Sequence, residues 1–236
     1  MSRNEDRVNK ELIVAIDGPS GAGKSTLSKE LSRQLGYVNI DTGAMYRSVA
    51  LLAQRDRVNP ADADGLKSLC NGISITFEQS ESGERVLLNG EDVSSAIRVP
   101  EVSLLTAKVA ANPVVREEML RLQRKMGEQG GVVLEGRDIG TVVFPDAEFK
   151  FFLSATARER GQRRYDELRE RGEPVDLEQT IAEVEARDAA DAAREHAPLR
   201  CAEDAIEIDS TAMTIDQVLQ SMLDVIDARH RDQKTR

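Results

Sequence analysis

Short apolar runs alternate with helical patterns along most of this chain. Leu12–Ile16 (LIVAI) is apolar throughout and closes on Asp17-Gly18, as expected of a strand buried on both faces. Leu27, Leu31 and Leu35 then recur at i, i+4 and i+8, an amphipathic helix that stops at Gly36. Residues 37–40 predict a second strand and 44–53 the next helix. Further strands are expected at 132–134, 149–153 and 205–208, with helices over 156–171, 177–195 and 214–228. Strands in alternation with helices predict an α/β fold on a parallel sheet.

One stretch breaks the rhythm. Ile73, Ile75 and Phe77 alternate with polar residues, SESG at 80–83 reads as a turn before Val86–Leu88, and Asn89-Gly90 marks another. A small antiparallel sheet is therefore expected over about 71–98. Two helices follow, the second opening at Asn112-Pro113 and presenting Val115, Met119, Leu122 and Met126. Residues 1–10 and 229–236 (RHRDQKTR) are polar and are expected to be flexible tails.

Charge and composition narrow the function. The 236 residues carry a net charge of −10 and 3% aromatic side chains. A general nucleic-acid coat gains its affinity by neutralising phosphates, and single-strand binders add exposed rings for stacking. Both are disfavoured, whereas a small phosphorylated ligand in a local basic pocket is not. The two cysteines, Cys70 and Cys201, form no CxxC pair, suit a reducing cytoplasm and read as packing residues. His196 and His230 are too few and too scattered for a His-rich metal site. No apolar stretch reaches the length of a membrane span, and the N-terminus lacks the apolar core of a secretory signal.

The strongest chemical signal is Gly18-Pro19-Ser20-Gly21-Ala22-Gly23-Lys24-Ser25, followed by Thr26. It fits GxxxxGK[ST] at every fixed position, after a strand and at the opening of a helix. Its glycines let backbone N–H groups turn towards phosphates, and the helix N-terminus adds partial positive charge. Lys24 is placed to reach the β- and γ-phosphates of a nucleoside triphosphate, and Ser25 to face Mg²⁺. No NKxD guanine reader is present, and the DxxG match at Asp62–Gly65 falls in a polar, helix-like stretch. A chain this short with an inserted sheet fits a small-molecule kinase better than a GTPase switch, motor or helicase.

A kinase also needs cations for its second anionic substrate. Arg47 follows Asp41-Thr42-Gly43 by one helical turn, Arg137-Asp138 directly follows the third strand of the core, and Arg116 begins a helix near the insert. Residues 158–171 (RERGQRRYDELRER) place Arg160, Arg163 and Arg164 three and four apart on one side of a helix. Arg187 and Arg194 share a helix face with Asp191 between them. Spacing alone leaves two readings open there: an intrahelical ion pair, or arginines for phosphate with an Asp for a sugar hydroxyl.

Together these segments resemble the bacterial cytidylate kinases, the CMP/dCMP kinases of the nucleoside monophosphate kinase group. The resemblance is carried by IDGPSGAGKST (16–26), DTGAMYR (41–47), LNGEDVSSAIR (88–98), VAANPVVRE (109–117), EGRDIGTVVFPDA (135–147), RDAADAAREHAPL (187–199) and EIDST (207–211). It implies a P-loop core with a five-stranded parallel sheet, residues 11–54 and 129–228, carrying a helical lid at about 156–172. It implies a nucleoside-monophosphate-binding domain over 55–128 that contains the three-stranded insert. The implied reaction is phosphoryl transfer from ATP, with Mg²⁺, to CMP or dCMP, in a cytoplasmic monomer without nucleic-acid or membrane partners.

By motif, Thr42, Arg47, Arg116, Arg137, Asp138, Arg187, Asp191 and Arg194 are the implied acceptor site. Arg116 and Asp138 would read cytosine, the carboxylate accepting from the N4 amino group; Asp191 would hold the ribose. Lys24, Arg137, Arg160 and Arg164 are the implied catalytic cations. Two positions depart from the family pattern. Ala107 replaces a Ser that helps bind the base, which bears on base selectivity. Gly161 replaces the Ala of RAxRR, a loss of up to ~1 kcal/mol of helix propensity that predicts a looser lid. Rival readings are a kinase for UMP, a deoxynucleoside or shikimate, a nucleotide-binding regulator with little turnover, and a nucleic-acid-binding module.

Overall fold

The five short runs that alternate with helices all become strands of one sheet. The computed structural model describes residues 11–80, 83–194 and 197–234. The expected tail at 1–10, the middle of the SESG turn and His196 lie outside them. The strands are β1 (Ile13–Asp17), β2 (Val38–Asp41), β6 (Val132–Gly136), β7 (Phe149–Ser154) and β8 (Ile206–Asp209), in the order β2-β6-β1-β7-β8. The pairings of β1 with β6 and β7, and of β7 with β8, are parallel. Every residue of β1 and of β6 is buried, which is why both read as unbroken apolar runs rather than alternations.

Helices α1 (Lys24–Leu35), α6 (Ala157–Glu170), α7 (Leu177–Ala192) and α8 (Ile215–Lys234) complete this unit, which runs to Asn39 and resumes at Gln129. Its core joins Val14 and Ile16 of β1, Leu27 and Leu31 of α1, Phe149 and Phe151 of β7, and Val218, Met222 and Ile226 of α8. Each such side chain contributes about 1.5–3 kcal/mol by burial. The two phenylalanine rings stack with centroids 6.5 Å apart.

Helix α8 corrects the expected end at 228, because it continues to Lys234 and takes in most of the supposed tail. Arg229, in this extension, is tied to the sheet. Its guanidinium donates to the Glu148 carbonyl at 2.6 Å and lies 5.4 Å from the centre of the Phe149 ring, so a polar residue still packs on the core.

The second unit is Ile40–Glu128. From sequence alone its start is expected at 55. Helix α2 (Thr42–Arg55) moves the boundary, because it packs on α3 (Ala63–Cys70), α4 (Pro100–Ala110) and α5 (Pro113–Met126). The insert is a three-stranded antiparallel sheet of β3 (Ile75–Ser80), β4 (Gly83–Leu88) and β5 (Glu91–Asp92). Alternation holds here: Ile75, Val86 and Leu88 are buried while their polar neighbours face outward. The cysteines part company. Cys70 is buried at the end of α3, but Cys201 is exposed in the loop before β8, so the packing role expected of it does not hold.

Candidate active site

The phosphate loop turns directly off β1. Gly18 follows Asp17 with φ +147°, and a Cβ there would sit 2.1 Å from the Leu153 carbonyl oxygen, so only glycine lets the loop pass β7. Gly23 ends the loop as the N-cap of α1 and offers no capping side chain, which leaves the first-turn N–H groups for an anion. Ser25 and Thr26 are exposed beside it.

Lys24 is buried, and its Nζ donates to the Pro19 carbonyl at 2.7 Å. Burial pulls its pKa down to about 7; the positive charge of Arg137 adds to this, against the pull of Glu135 and Asp17. An ammonium in such a setting is destabilised until a polyanion arrives.

Asp17, which the sequence reading treated only as the end of a strand, is a buried carboxylate at this junction. Its Oδ1 accepts the Ile139 N–H at 2.9 Å and its Oδ2 the Gly140 N–H at 2.7 Å. Burial nonetheless pushes its pKa up to about 6. The clue was available: a carboxylate at the end of a wholly buried strand needs donors, and the donors had to come from a neighbouring strand end.

Those donors open a single π-helical turn, Ile139–Val143, within EGRDIGTVVFPDA. Both Val142 and Val143 donate back to the Asp138 carbonyl, at 2.9 and 3.2 Å. Arg137 and Asp138, immediately before the turn, are half-buried. The Arg137 Nε donates to Asp191 Oδ2 at 2.8 Å, and Arg194 donates to Asp191 Oδ1. Asp191 is buried on α7 between these two arginines. The ion-pair reading of the 187–194 cluster has its counterpart here: Asp191 pairs along its helix with Arg194 and across to Arg137. Each of its oxygens keeps a lone pair for a hydroxyl. Arg187 lies near enough for its charge to act on Lys24.

The lid arginines do not share one environment. Arg160 is buried, and each nitrogen of its guanidinium has a partner: the Ala155 carbonyl at 2.8 Å, the Ser20 carbonyl of the phosphate loop at 2.9 Å, and Asp188 of α7 at 2.5 Å. Arg163 reaches the Ser210 carbonyl at 2.8 Å. Arg164 pairs on the surface with Glu167 at 3.0 Å. Asp188 was a missed residue, indistinguishable in sequence from the other acidic positions of α7. Gly161 also gains a purpose: a Cβ on it would lie 2.4 Å from Ile181 Cγ1 and 2.9 Å from Ile181 Cα. Close approach of α6 and α7, rather than a looser lid, is what the glycine provides.

Three expected residues belong to the second unit. The Asp41 carboxylate caps α2 through the Ala44 N–H at 2.8 Å and pairs with Arg47 at 2.8 Å, while Thr42 is buried beside it. Arg116, in the first turn of α5, lies 5.9 Å from the centre of the Tyr46 ring of α2. Ala107 is exposed on α4, and the neighbouring Thr106 hydroxyl donates to the Val102 carbonyl at 2.6 Å. That back-bond ties Thr106 to its own helix.

Comparison with known proteins identifies the family. The model of the cytidylate kinase family matches residues 14–228. A cytidylate kinase of Syntrophotalea carbinolica is 66% identical over 224 residues, covering 95% of this chain and 95% of that protein. Another, from Geobacter sp. (strain M21), is 62% identical over 211 residues, covering 89% and 91%. One from Geobacter sulfurreducens is 56% identical over 220 residues, covering 93% and 94%. With a phosphate loop and an arginine-rich segment built on adjacent strand ends, this chain belongs to the cytidylate kinase family.

Proposed function

We infer that the chain transfers the γ-phosphoryl group of ATP to CMP or dCMP, giving ADP and CDP or dCDP. The observation that carries this reading is the joining of the phosphate loop to the Arg137-Asp138 segment through Asp17, in a chain of this family.

The nucleophile is a phosphate oxygen of the acceptor. With a second pKa near ~6, a phosphate monoester is already largely ionised at neutral pH, so no general base is needed. Asp138 is therefore assigned to the cytosine amino group and not to proton removal. Lys24 exchanges its Pro19 carbonyl for the phosphates of ATP, which raises its pKa and secures its charge as negative charge builds on the transferring group. Arg137 and Arg194 serve the acceptor phosphate, Arg187 adds positive charge to the site, and Asp191 takes the ribose. Thr42, Arg47 and Arg116 are assigned to acceptor binding by the motifs they match. Arg164, exposed on α6, is a cation available to the lid. Arg160 is proposed to act through the phosphate loop it holds.

Among the described residues no group of three His, Cys, Asp or Glu side chains could hold a metal by itself. The exposed Ser25 at the head of α1 fits a Mg²⁺ carried chiefly by nucleotide phosphates. Bound there, Mg²⁺ would neutralise phosphate charge. The nucleotide partners, cytoplasmic setting and monomeric state expected from the sequence form part of the same proposal.

The test is ADP production from ATP and Mg²⁺ with CMP, dCMP, UMP, AMP, GMP or no acceptor. Turnover confined to CMP and dCMP is expected. Equal turnover with UMP would remove the cytosine reading from Asp138, and acceptor-independent ADP formation would remove the kinase assignment.

A further inference from the structure

Asp17 meets the Arg137-Asp138 segment twice. In the β1–β6 register its backbone stands opposite Gly136, the residue before Arg137. Its carboxylate then takes the N–H groups of Ile139 and Gly140, the two residues after Asp138. The excursion that presents Arg137 and Asp138 is thus closed at both ends on one residue. The other side of the turn is backed as well: a Cβ on Gly140 would lie 3.2 Å from Lys150 Cδ, and the Lys150 Nζ is itself held by Asp204 at 2.7 Å. Asp17 is also bonded directly to Gly18, the first residue of the phosphate loop.

An apolar residue at this position would extend the strand at less cost, since a buried carboxylate must forgo its hydration. What the carboxylate adds is a two-pronged acceptor for two consecutive N–H groups.

We propose that Asp17 is a positioning residue for the acceptor nucleotide, aiming Arg137 and Asp138 from the base of the phosphate loop. The proposal rests on the reading of Asp138 as the cytosine reader. Asn is close to isosteric with Asp, but its amide group would turn a donor towards one of the two N–H groups. Asp17→Asn should therefore release one end of the excursion while leaving β1 apolar and paired.

Steady-state kinetics of the wild type, Asp17→Asn and Asp138→Ala test this, using ATP with CMP and with UMP. In Asp17→Asn the KM for CMP should rise about tenfold and the CMP-to-UMP ratio of kcat/KM should fall about tenfold, with the KM for ATP within about twofold. A merely structural role would lower the active fraction without moving the ratio or splitting the two KM values. If Asp138→Ala collapses the ratio and Asp17→Asn leaves it intact, the proposal alone falls. If Asp138→Ala leaves the ratio intact, the cytosine reading falls and the proposal with it. Should Asp17→Asn not fold, amide hydrogen exchange in the wild type decides: CMP should slow exchange at Ile139 and Gly140, and unchanged rates would overturn the proposal.

Discussion

At the scale of single residues, the site combines paired buried charges with one, Lys24, that burial pushes towards its neutral form. Burial lowers the Lys24 pKa to about 7, and its Nζ donates to its own loop carbonyl. Such a group serves ligand binding at the expense of stability. Lys24→Met should therefore lower kcat/KM by about 10²–10³. The same variant should unfold at an equal or higher temperature than the wild type. Calorimetry showing a clear loss of stability would mean that Lys24 holds the fold. The residue types of the phosphate loop were legible in sequence because its chemistry demands them at fixed spacing. Asp188 and the division of labour among Arg160, Arg163 and Arg164 were not, because each depends on what lies across from it in space. Three arginines on one helical side read alike until Ser20, Ser210 and Glu167 are seen to receive them.

Among the elements, hydrophobic pattern located all five strands of the parallel sheet, most plainly β1 and β6, whose every residue is buried. It could not locate the π-helical turn after Asp138, whose first two N–H groups go to the Asp17 carboxylate. Nor could propensity judge Gly161. Read alone, a glycine weakens α6; read against α7, it admits Ile181. Gly161→Ala raises helix propensity by up to ~1 kcal/mol, yet the overpacked α6–α7 contact should cost about 1–3 kcal/mol. The variant is thus expected to be less stable to urea than the wild type, with the loss seen as faster amide exchange in α6 and α7. A more stable Gly161→Ala would return the residue to a simple propensity defect.

For the whole molecule, the chain divides into two units whose boundary at Ile40 was hidden from sequence, because α2 follows β2 without a linker and only its packing on α3–α5 assigns it. Global stability carries the cost of the buried site. Burial raises the Asp17 carboxyl from its ordinary 3.8 to about 6. The folded state therefore holds this proton more tightly than the unfolded state does. Its contribution to stability is full below about pH 4 and is lost as pH rises through about 6, on the order of 3 kcal/mol in all. Asp17→Asn lacks this titration, so the stability gap between wild type and variant should narrow between pH 4 and pH 7 in denaturant unfolding. Parallel pH curves would show that Asp17 is ionised at its ordinary pKa in the folded protein.

The central claim is a direct phosphoryl transfer between two nucleotides, and one measurement addresses it without intermediaries. ATP labelled at the γ-phosphorus is mixed with CMP, Mg²⁺ and the protein, and the label is followed by phosphorus NMR. The account predicts its appearance at the β-phosphorus of CDP, one CDP for each ADP, with inorganic phosphate remaining near background. Label recovered as inorganic phosphate at the same rate with or without CMP would contradict it.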